Sequence, residues 1–244
     1  MKRGQITLFV IIAILLVSAI GVVVYTQREV FGIKLTSESP EIRPISSFVE
    51  NCIKSTGEDA LIFTGQQGGY FEPKTLSVEN IPYYFYNNKS YLPSKQKIES
   101  EISFYMNEML PFCTKNFVDF PDFYIEANPA DVKTKTTIWK DRIRFEVQWP
   151  VIIKKGETTH QLNKFSSEIN SRLNTIYLTA ENFISLQLED PSSICLSCLT
   201  RLAIENDLYI DMADYGNNTV VFTITDKKAT IKDQPYEWSF ANRY

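Results

Sequence analysis

The 244-residue sequence contains a single histidine, His160, and this scarcity excludes several kinds of chemistry. A Ser-His-Asp triad or a Cys-His pair would have to use His160, and a zinc site would need further ligands around it. Its surroundings, KKGETTHQL, are polar and predict the tip of a hairpin rather than a cleft. Phosphate-binding, dinucleotide-binding, HExxH and GxSxG motifs are also missing. The sequence therefore predicts a protein that is not an enzyme and binds neither a metal nor a cofactor.

Positive charge is also in short supply, because 25 Lys and Arg face 29 Asp and Glu, for a formal net charge of −4. Lys2 and Arg3 lie in the first 25 residues, which contain no acid, so the remainder of the chain is more acidic still. An acidic domain repels the phosphate backbones of DNA and RNA. Nucleic acid is therefore not expected as a partner.

One long apolar run is present near the N-terminus. Residues 6–25, ITLFVIIAILLVSAIGVVVY, contain no charge. As a helix they would span about 30 Å, the thickness of the hydrocarbon core of a bilayer. Lys2 and Arg3 precede the run, and this predicts a cytoplasmic N-terminus with the rest of the chain outside. A cleaved secretory signal peptide, with a small-x-small site at 17–19, is the alternative.

The chain divides at this run into four predicted segments. Residues after the run are polar and lack a sustained apolar period, as in a linker. The segments are a basic cytoplasmic leader (1–5), a transmembrane helix (6–25), a linker or stalk (26–43) and an extracytoplasmic domain (44–244).

The first residues, Lys2-Arg3-Gly4-Gln5 followed by the apolar run, resemble archaeal class III signal peptides of type IV prepilins. The resemblance covers about 20 residues, and it implies cleavage between Gly4 and Gln5, after which the apolar helices pack into a filament. Phe9 stands where many members of that family carry Glu. The rest of the chain resembles uncharacterised archaeal membrane proteins, which implies no particular function.

The 44–244 segment alternates helical and strand patterns, and this predicts an α+β domain of amphipathic helices and antiparallel β-hairpins. Helices are predicted from 44 to about 64, from 94 to 117 with a bend near Pro111, over 165–187 and over 192–205. Strands are predicted at 123–127, at 132–138 paired with 143–149, at 208–212 paired with 220–224, and at the edge in 231–244.

Four cysteines suggest disulfides in a domain outside the cytoplasm. Cys52 and Cys113 lie on the apolar stripes of two predicted helices, and a bond between them is geometrically reasonable if those helices pack together. Cys195 and Cys198 form a lone C-x-x-C motif. That motif is typical of a local structural disulfide, and the alternative is a redox-active pair.

Residues 70–93 are predicted to be irregular, and their aromatic residues make a possible binding loop. Tyrosine on loops contributes contact area and a hydrogen-bonding tip, which suits sugars or proteins; the alternative is packing against the two flanking helices. The aromatic residues are Tyr70, Phe71, Tyr83, Tyr84, Phe85, Tyr86 and Tyr91. Asn88 and Asn217 each begin a predicted N-glycosylation triplet.

Together these patterns predict a single-pass protein of the cell membrane. Residues 6–25 would bind the lipid bilayer, and the outer domain would be structural or would bind a protein or a surface glycan. Two alternatives stay open. One is a pilin-like filament subunit processed after Gly4, and the other is a membrane-tethered thiol-disulfide protein that uses Cys195 and Cys198.

Overall fold

The computed structural model describes residues 39–72 and 76–244, and these form an α+β arrangement of four α-helices and two β-sheets. The helices are α1 (Arg43–Gln66), α2 (Lys95–Thr114), α3 (Leu173–Glu189) and α4 (Leu196–Asn206). The strands are β1 (Ser77–Val78), β2 (Ile81–Tyr86), β3 (Lys89–Ser90), β4 (Tyr124–Ala127), β5 (Lys133–Ile138), β6 (Arg142–Lys155), β7 (Thr158–Asn170), β8 (Tyr209–Asp214), β9 (Thr219–Ile231) and β10 (Gln234–Arg243). Short 3-10 helices occupy Lys115–Phe117 and Pro129–Asp131.

The sheet of β4 to β7 is built around β6. β7 pairs with β6 on one side, and β5 and β4 pair with successive parts of β6 on the other, all antiparallel. On β6, Ile143, Phe145 and Val147 are buried, while the charged residues between them reach the surface. This alternation is the one that predicts the hairpin of β5 and β6, and the structure confirms it.

The other sheet has the order β1-β2-β10-β9-β8, with β3 also paired to β2. β10 is antiparallel to β9 but parallel to β2. The predicted antiparallel hairpins are present, but the parallel pairing was not predicted, and the prediction of an edge strand within 231–244 is wrong because β10 has a partner on each side. Trp238 and Phe240 of β10 are fully buried, and a buried backbone needs a partner on each side to satisfy its amides and carbonyls.

Two glycines allow α1 to approach both sheets. A Cβ atom on Gly57 would lie 2.7 Å from the ring of Phe145 on β6, and one on Gly65 would collide with the carbonyl oxygen of Glu237 on β10. From the sequence alone, Gly57 is unfavourable in the interior of a helix. The contact with Phe145 gives the reason for a glycine there, because no larger residue fits.

The predicted helix over 165–187 is partly wrong. Residues up to Asn170 belong to β7, and α3 begins at Leu173. Phe165 and Ile169 are buried, and a spacing of four residues fits one face of a strand as well as one face of a helix. Pairing with β6 decides in favour of the strand.

The predicted fold class needs a correction, because it combined a transmembrane helix with the α+β domain. Among residues 39–72 and 76–244, no helix is long and apolar enough to cross a membrane. The apolar run of residues 6–25 lies outside the described residues, as do Gly4 and Gln5. The fold that the structure describes is α+β, with four helices and two sheets.

The folded domain begins slightly before the predicted boundary at 44. Residues 40–244 form one compact unit. Ile42 is buried in its core, and α1 begins at Arg43. The apolar residue just before the helix packs under its first turn, and residues 26–38 of the predicted linker lie outside the described residues.

Candidate binding surface

The four cysteines form two disulfides. Cys52 of α1 is bonded to Cys113 of α2, with 5.7 Å between their Cα atoms, across 61 residues of chain. Closing a loop of that length restricts the unfolded chain and stabilises the fold by about 4 kcal/mol. The bond also fixes α1 against α2, so a surface shared by the two helices is held rigid.

The second disulfide joins Cys195 to Cys198, with 5.2 Å between their Cα atoms. Cys195 is the N-cap residue of α4, and its Sγ accepts the amide of Cys198 at 3.3 Å. Both side chains are half-buried. The motif therefore opens a helix, but that helix follows α3 rather than a strand.

The prediction that the aromatic segment is irregular is wrong for its central part, and most of its rings are not available on a loop. Residues 81–86 form β2, in which Tyr83, Tyr84 and Phe85 are buried. The hydroxyl of Tyr84 donates to the carbonyl of Gly68 at 2.8 Å and accepts from the indole of Trp238 at 3.1 Å. Burial raises the pKa of this phenol well above its ordinary value. These consecutive rings are buried because β2 is covered by other residues on both faces of the sheet.

Apolar side chains are exposed on the outer side of the helix pair α1 and α2. They are Phe63 of α1 and Phe104, Met109 and Phe112 of α2, and with the half-buried Phe71 in the loop after α1 they are here called the apolar face. Phe112 is 73% exposed and Phe104 is 48% exposed. The ring of Phe71 lies 5.7 Å from that of Phe63 and 5.4 Å from that of Phe104. Phe112 lies about two turns beyond Phe104 and about 80° around the helix from it, and Met109 lies one turn before Phe112.

Polar groups surround the apolar face and hold it in place. Lys97 pairs with Glu101 at 2.6 Å, and the second carboxylate oxygen of Glu101 accepts the amide of Phe71 at 2.9 Å. Lys232 pairs with Asp59 on the α1 side. Burial raises the pKa of the Tyr70 phenol next to this rim. An apolar centre with a polar rim is the usual anatomy of a protein interface.

A groove of about 570 Å³ continues the apolar face beyond Phe112. It runs between the C-terminal end of α2 and the loop after β4, and its lining includes Pro111, Phe112, Lys115, Pro129 and Ala130. An exposed aromatic side chain beside a groove is a favourable anchor for a partner side chain.

The sequence pattern missed this surface because it assigned Met109 and Phe112 to the buried stripe of the second helix. The buried stripe actually advances in steps of four residues, through Ile98, Ile102, Met106 and Leu110. A strict four-residue step was visible in the sequence, and it would have left Phe112 outside.

The remaining predicted sites are at the surface or outside the described part. Asn88 lies exposed between β2 and β3, and Asn217 lies exposed between β8 and β9. His160 lies on β7, opposite Ile153, close to the turn that joins β6 to β7. In the described ranges, no group of three His, Cys, Asp or Glu residues is placed to hold a metal ion.

A further groove, of about 590 Å³, is lined by charged residues of the β6 sheet. Arg144 lies 3.6 Å from Glu146 and 3.8 Å from Glu168, so its charge is neutralised by neighbours on the same sheet. Exposed pairs of this kind contribute little energy.

Comparison with known proteins finds no matching family model, no matching curated protein and no matching solved structure. The apolar face is therefore identified as a candidate binding surface from its geometry alone.

Proposed function

We propose that this domain binds a partner protein through the apolar face. The observation that carries the proposal is the exposure of Phe104 and Phe112, and to a smaller extent of Met109, on a helix whose inward apolar stripe is buried. Covering one such side chain stabilises a complex by about 1.5–3 kcal/mol. A contiguous apolar patch with a polar rim marks an interaction site more often than a bare surface.

The rigidity of the surface supports the proposal. Phe63 belongs to α1 and Phe104 to α2, and the Cys52–Cys113 disulfide ties those helices together. A surface that is ordered before binding loses little conformational entropy when a partner docks.

The chemistry of the surface favours a protein partner over a glycan. Phe104 and Phe112 have no hydrogen-bonding side-chain groups, and the sulfur of Met109 is only a weak acceptor. The hydroxyls of a sugar pressed onto them would lose water without compensation. We expect instead a partner that presents apolar side chains to the face and polar groups to the rim.

The two disulfides support a location outside the reducing cytoplasm. Attachment to a membrane through residues 6–25 and processing at Gly4 concern residues outside the described part, and both stay predictions from the sequence. The intact mass of the protein from its native source tests processing directly, because a mature chain that starts at Gln5 lacks the first four residues.

Site-specific photo-cross-linking in the native host tests the proposed surface. A photoreactive phenylalanine analogue replaces Phe112 in the full-length chain, and a matched chain carries it at Ile204, which is 74% exposed on α4. We expect one discrete cross-linked protein from position 112 and none of that mass from position 204. Phe104→Ser should abolish the cross-link at 112, with the thermal unfolding temperature unchanged. Equal cross-linking from both positions, or none from 112, contradicts the proposal.

A further inference from the structure

The edge strand β5 is sealed by side chains of α2. Trp139 donates its amide to Arg142 at 2.8 Å, so the odd-numbered residues of β5 bond to β6 and the even-numbered residues point away. Each outward amide donates to a side chain of α2: Ile138 to Glu99 (2.9 Å), Thr136 to Ser103 (3.0 Å) and Thr134 to Asn107 (2.7 Å). The acceptors are four residues apart on α2, a rise of about 6.0 Å, and the donor amides are two residues apart on β5, a rise of about 6.8 Å. The spacing of the acceptors therefore matches the spacing of the amides.

The edge strand β8 has no such seal in the described part of the chain. Tyr215 donates its amide to Thr219 at 2.9 Å, which makes the odd-numbered residues of β8 the ones that bond to β9. The amides and carbonyls of Ile210, Met212 and Asp214 therefore point away from the sheet. No described backbone or side-chain group bonds to them. An open edge of this kind is a template for another strand.

The side chains along β8 are a mixture of acidic and apolar groups. Tyr209, Met212 and Tyr215 are each 41–53% exposed. Asp211 and Asp214 are exposed, and neither forms an ion pair within residues 39–72 and 76–244. Because side chains alternate along a strand, Asp211 faces one side of the sheet together with Tyr209, and Met212 faces the other together with Ile210 and Asp214.

A second copy of the chain is a poor occupant of this edge. Symmetric antiparallel pairing centred on Asp211 places two copies of that carboxylate directly opposite each other. Centring on Met212 brings the two copies of Asp211 together diagonally, and centring on Ala213 does the same for Asp214. Like charges in opposite positions destabilise a strand pair, and diagonal neighbours are only about 7–8 Å apart.

We propose that β8 binds an extended segment of a partner protein in which basic and apolar residues alternate, and that this segment adds a strand to the sheet. The basic side chains lie on the side of Asp211, and the apolar ones lie on the other side, beside Ile210 and Met212. Backbone hydrogen bonds to the outward groups hold the segment, and the alternating side chains select it. This site lies on elements other than α1 and α2, and its test does not depend on the apolar face.

A peptide experiment tests the mode of binding. The probe is a fluorescent eight-residue peptide that alternates valine and lysine, titrated into the full-length protein in mild detergent. The controls replace lysine by glutamate, or methylate the backbone nitrogens of the valines or of the lysines. Antiparallel addition uses the amides of the residues opposite Met212, so methylated valines should abolish binding while methylated lysines retain it. Binding that survives both methylations, or that is equal for the glutamate peptide, overturns the proposal.

Variants of β8 test the same site from the protein side. Met212→Pro removes an outward amide that the fold does not use, and an edge strand tolerates proline at such a position. We expect the variant to keep its unfolding temperature and to bind the lysine peptide at least about tenfold more weakly. Asp211→Asn should weaken binding and reduce its dependence on salt.

Site-resolved hydrogen exchange provides the final readout. In the free protein the amides of Ile210, Met212 and Asp214 should exchange rapidly, whereas those of Asp211 and Ala213 are protected by β9. The lysine peptide should protect the first set. The proposal is overturned if Met212→Pro binds the lysine peptide as tightly as the parent protein does. It is also overturned if the parent forms a concentration-dependent dimer that Met212→Pro abolishes, because a second copy would then occupy the edge.

Discussion

The guanidinium of Arg172 donates to the carboxylate of Asp226 at 3.0 Å, and that carboxylate is fully buried. Arg172 precedes α3, and Asp226 lies on β9. The same guanidinium donates to the carbonyls of Asn206 and Asp207 at the end of α4. One side chain thus joins two helices and a sheet, and it satisfies the last carbonyls of α4.

Removing Arg172 should strongly destabilise the domain. Arg172→Met leaves the buried charge of Asp226 without its counter-charge and with only the amide of Lys228 as a hydrogen-bond donor. We expect the free energy of unfolding to fall by about 3–5 kcal/mol. Urea denaturation of the full-length chain measures the change. The double variant Arg172→Met with Asp226→Asn should recover part of the loss, because no charge then stays buried. A loss below about 1 kcal/mol would show that the pair is not structurally important.

Alanine at Gly57 should destabilise α1 although alanine favours helices. At an open helical position, replacing Gly by Ala stabilises by about 1 kcal/mol. At Gly57 the added methyl group meets the ring of Phe145, and we expect a net loss of about 1–3 kcal/mol. Thermal unfolding measures the sign. The double variant Gly57→Ala with Phe145→Leu makes room for the methyl group and should lose less than the sum of the two single changes.

Stability should decline at alkaline pH because of buried tyrosines. Burial holds the pKa of Tyr236 and that of Tyr84 well above the ordinary value of a phenol. The unfolded chain releases these protons above about pH 10, whereas the folded chain keeps them. Each group therefore lowers the free energy of unfolding by about 1.4 kcal/mol for each further pH unit. Denaturant titrations from neutral to alkaline pH measure this slope.

The two tyrosines should differ when each is replaced by phenylalanine. The hydroxyl of Tyr236 has no hydrogen-bond partner among the described residues, so Tyr236→Phe should maintain or raise stability at neutral pH and flatten the alkaline decline. Tyr84→Phe leaves the carbonyl of Gly68 and the indole N–H of Trp238 without their hydrogen-bond partner. We expect the free energy of unfolding to fall by about 1–3 kcal/mol. Equal losses from both replacements would contradict the assignment.

The two disulfides should open in a fixed order under mild reduction. Cys195 and Cys198 are half-buried at the start of α4, where the helix favours a thiolate, whereas Cys52 is 4% exposed. We expect dithiothreitol followed by alkylation to label two cysteines first, and peptide mass mapping to identify them as this pair. Labelling of Cys52 and Cys113 at the same rate would contradict the expected order.

The seal on β5 should be essential for solubility as well as stability. Asn107→Leu leaves the amide of Thr134 without its acceptor, which should cost about 1–3 kcal/mol. It also opens part of an edge, so the variant should self-associate at lower concentration than the parent in sedimentation experiments. Glu108→Leu, at an exposed position one residue along the same helix, is the matched control. Association in both variants would assign the effect to added apolar surface instead.

Patterns that depend on neighbouring residues could be predicted from the sequence. The alternation around Phe145 predicts β6, because side chains of a strand alternate over adjacent residues. The hairpin of β8 and β9 around Gly216 is likewise local. The even number of cysteines predicts disulfides, and their positions on two amphipathic helices made one pairing reasonable. Each of these inferences needs only a short stretch of chain.

Features that depend on distant segments were decided by the tertiary structure. Tyr84 is buried because β2 pairs with β10, which lies about 150 residues further along the chain. No local sequence pattern predicts a parallel pairing between strands so far apart. Phe112 is exposed because Leu110 takes the inward position on α2. The open edge of β8 and the sealed edge of β5 differ only in what packs beside them. The sequence determined the local elements, and the packing of distant elements determined which amides, and which aromatic rings, face solvent.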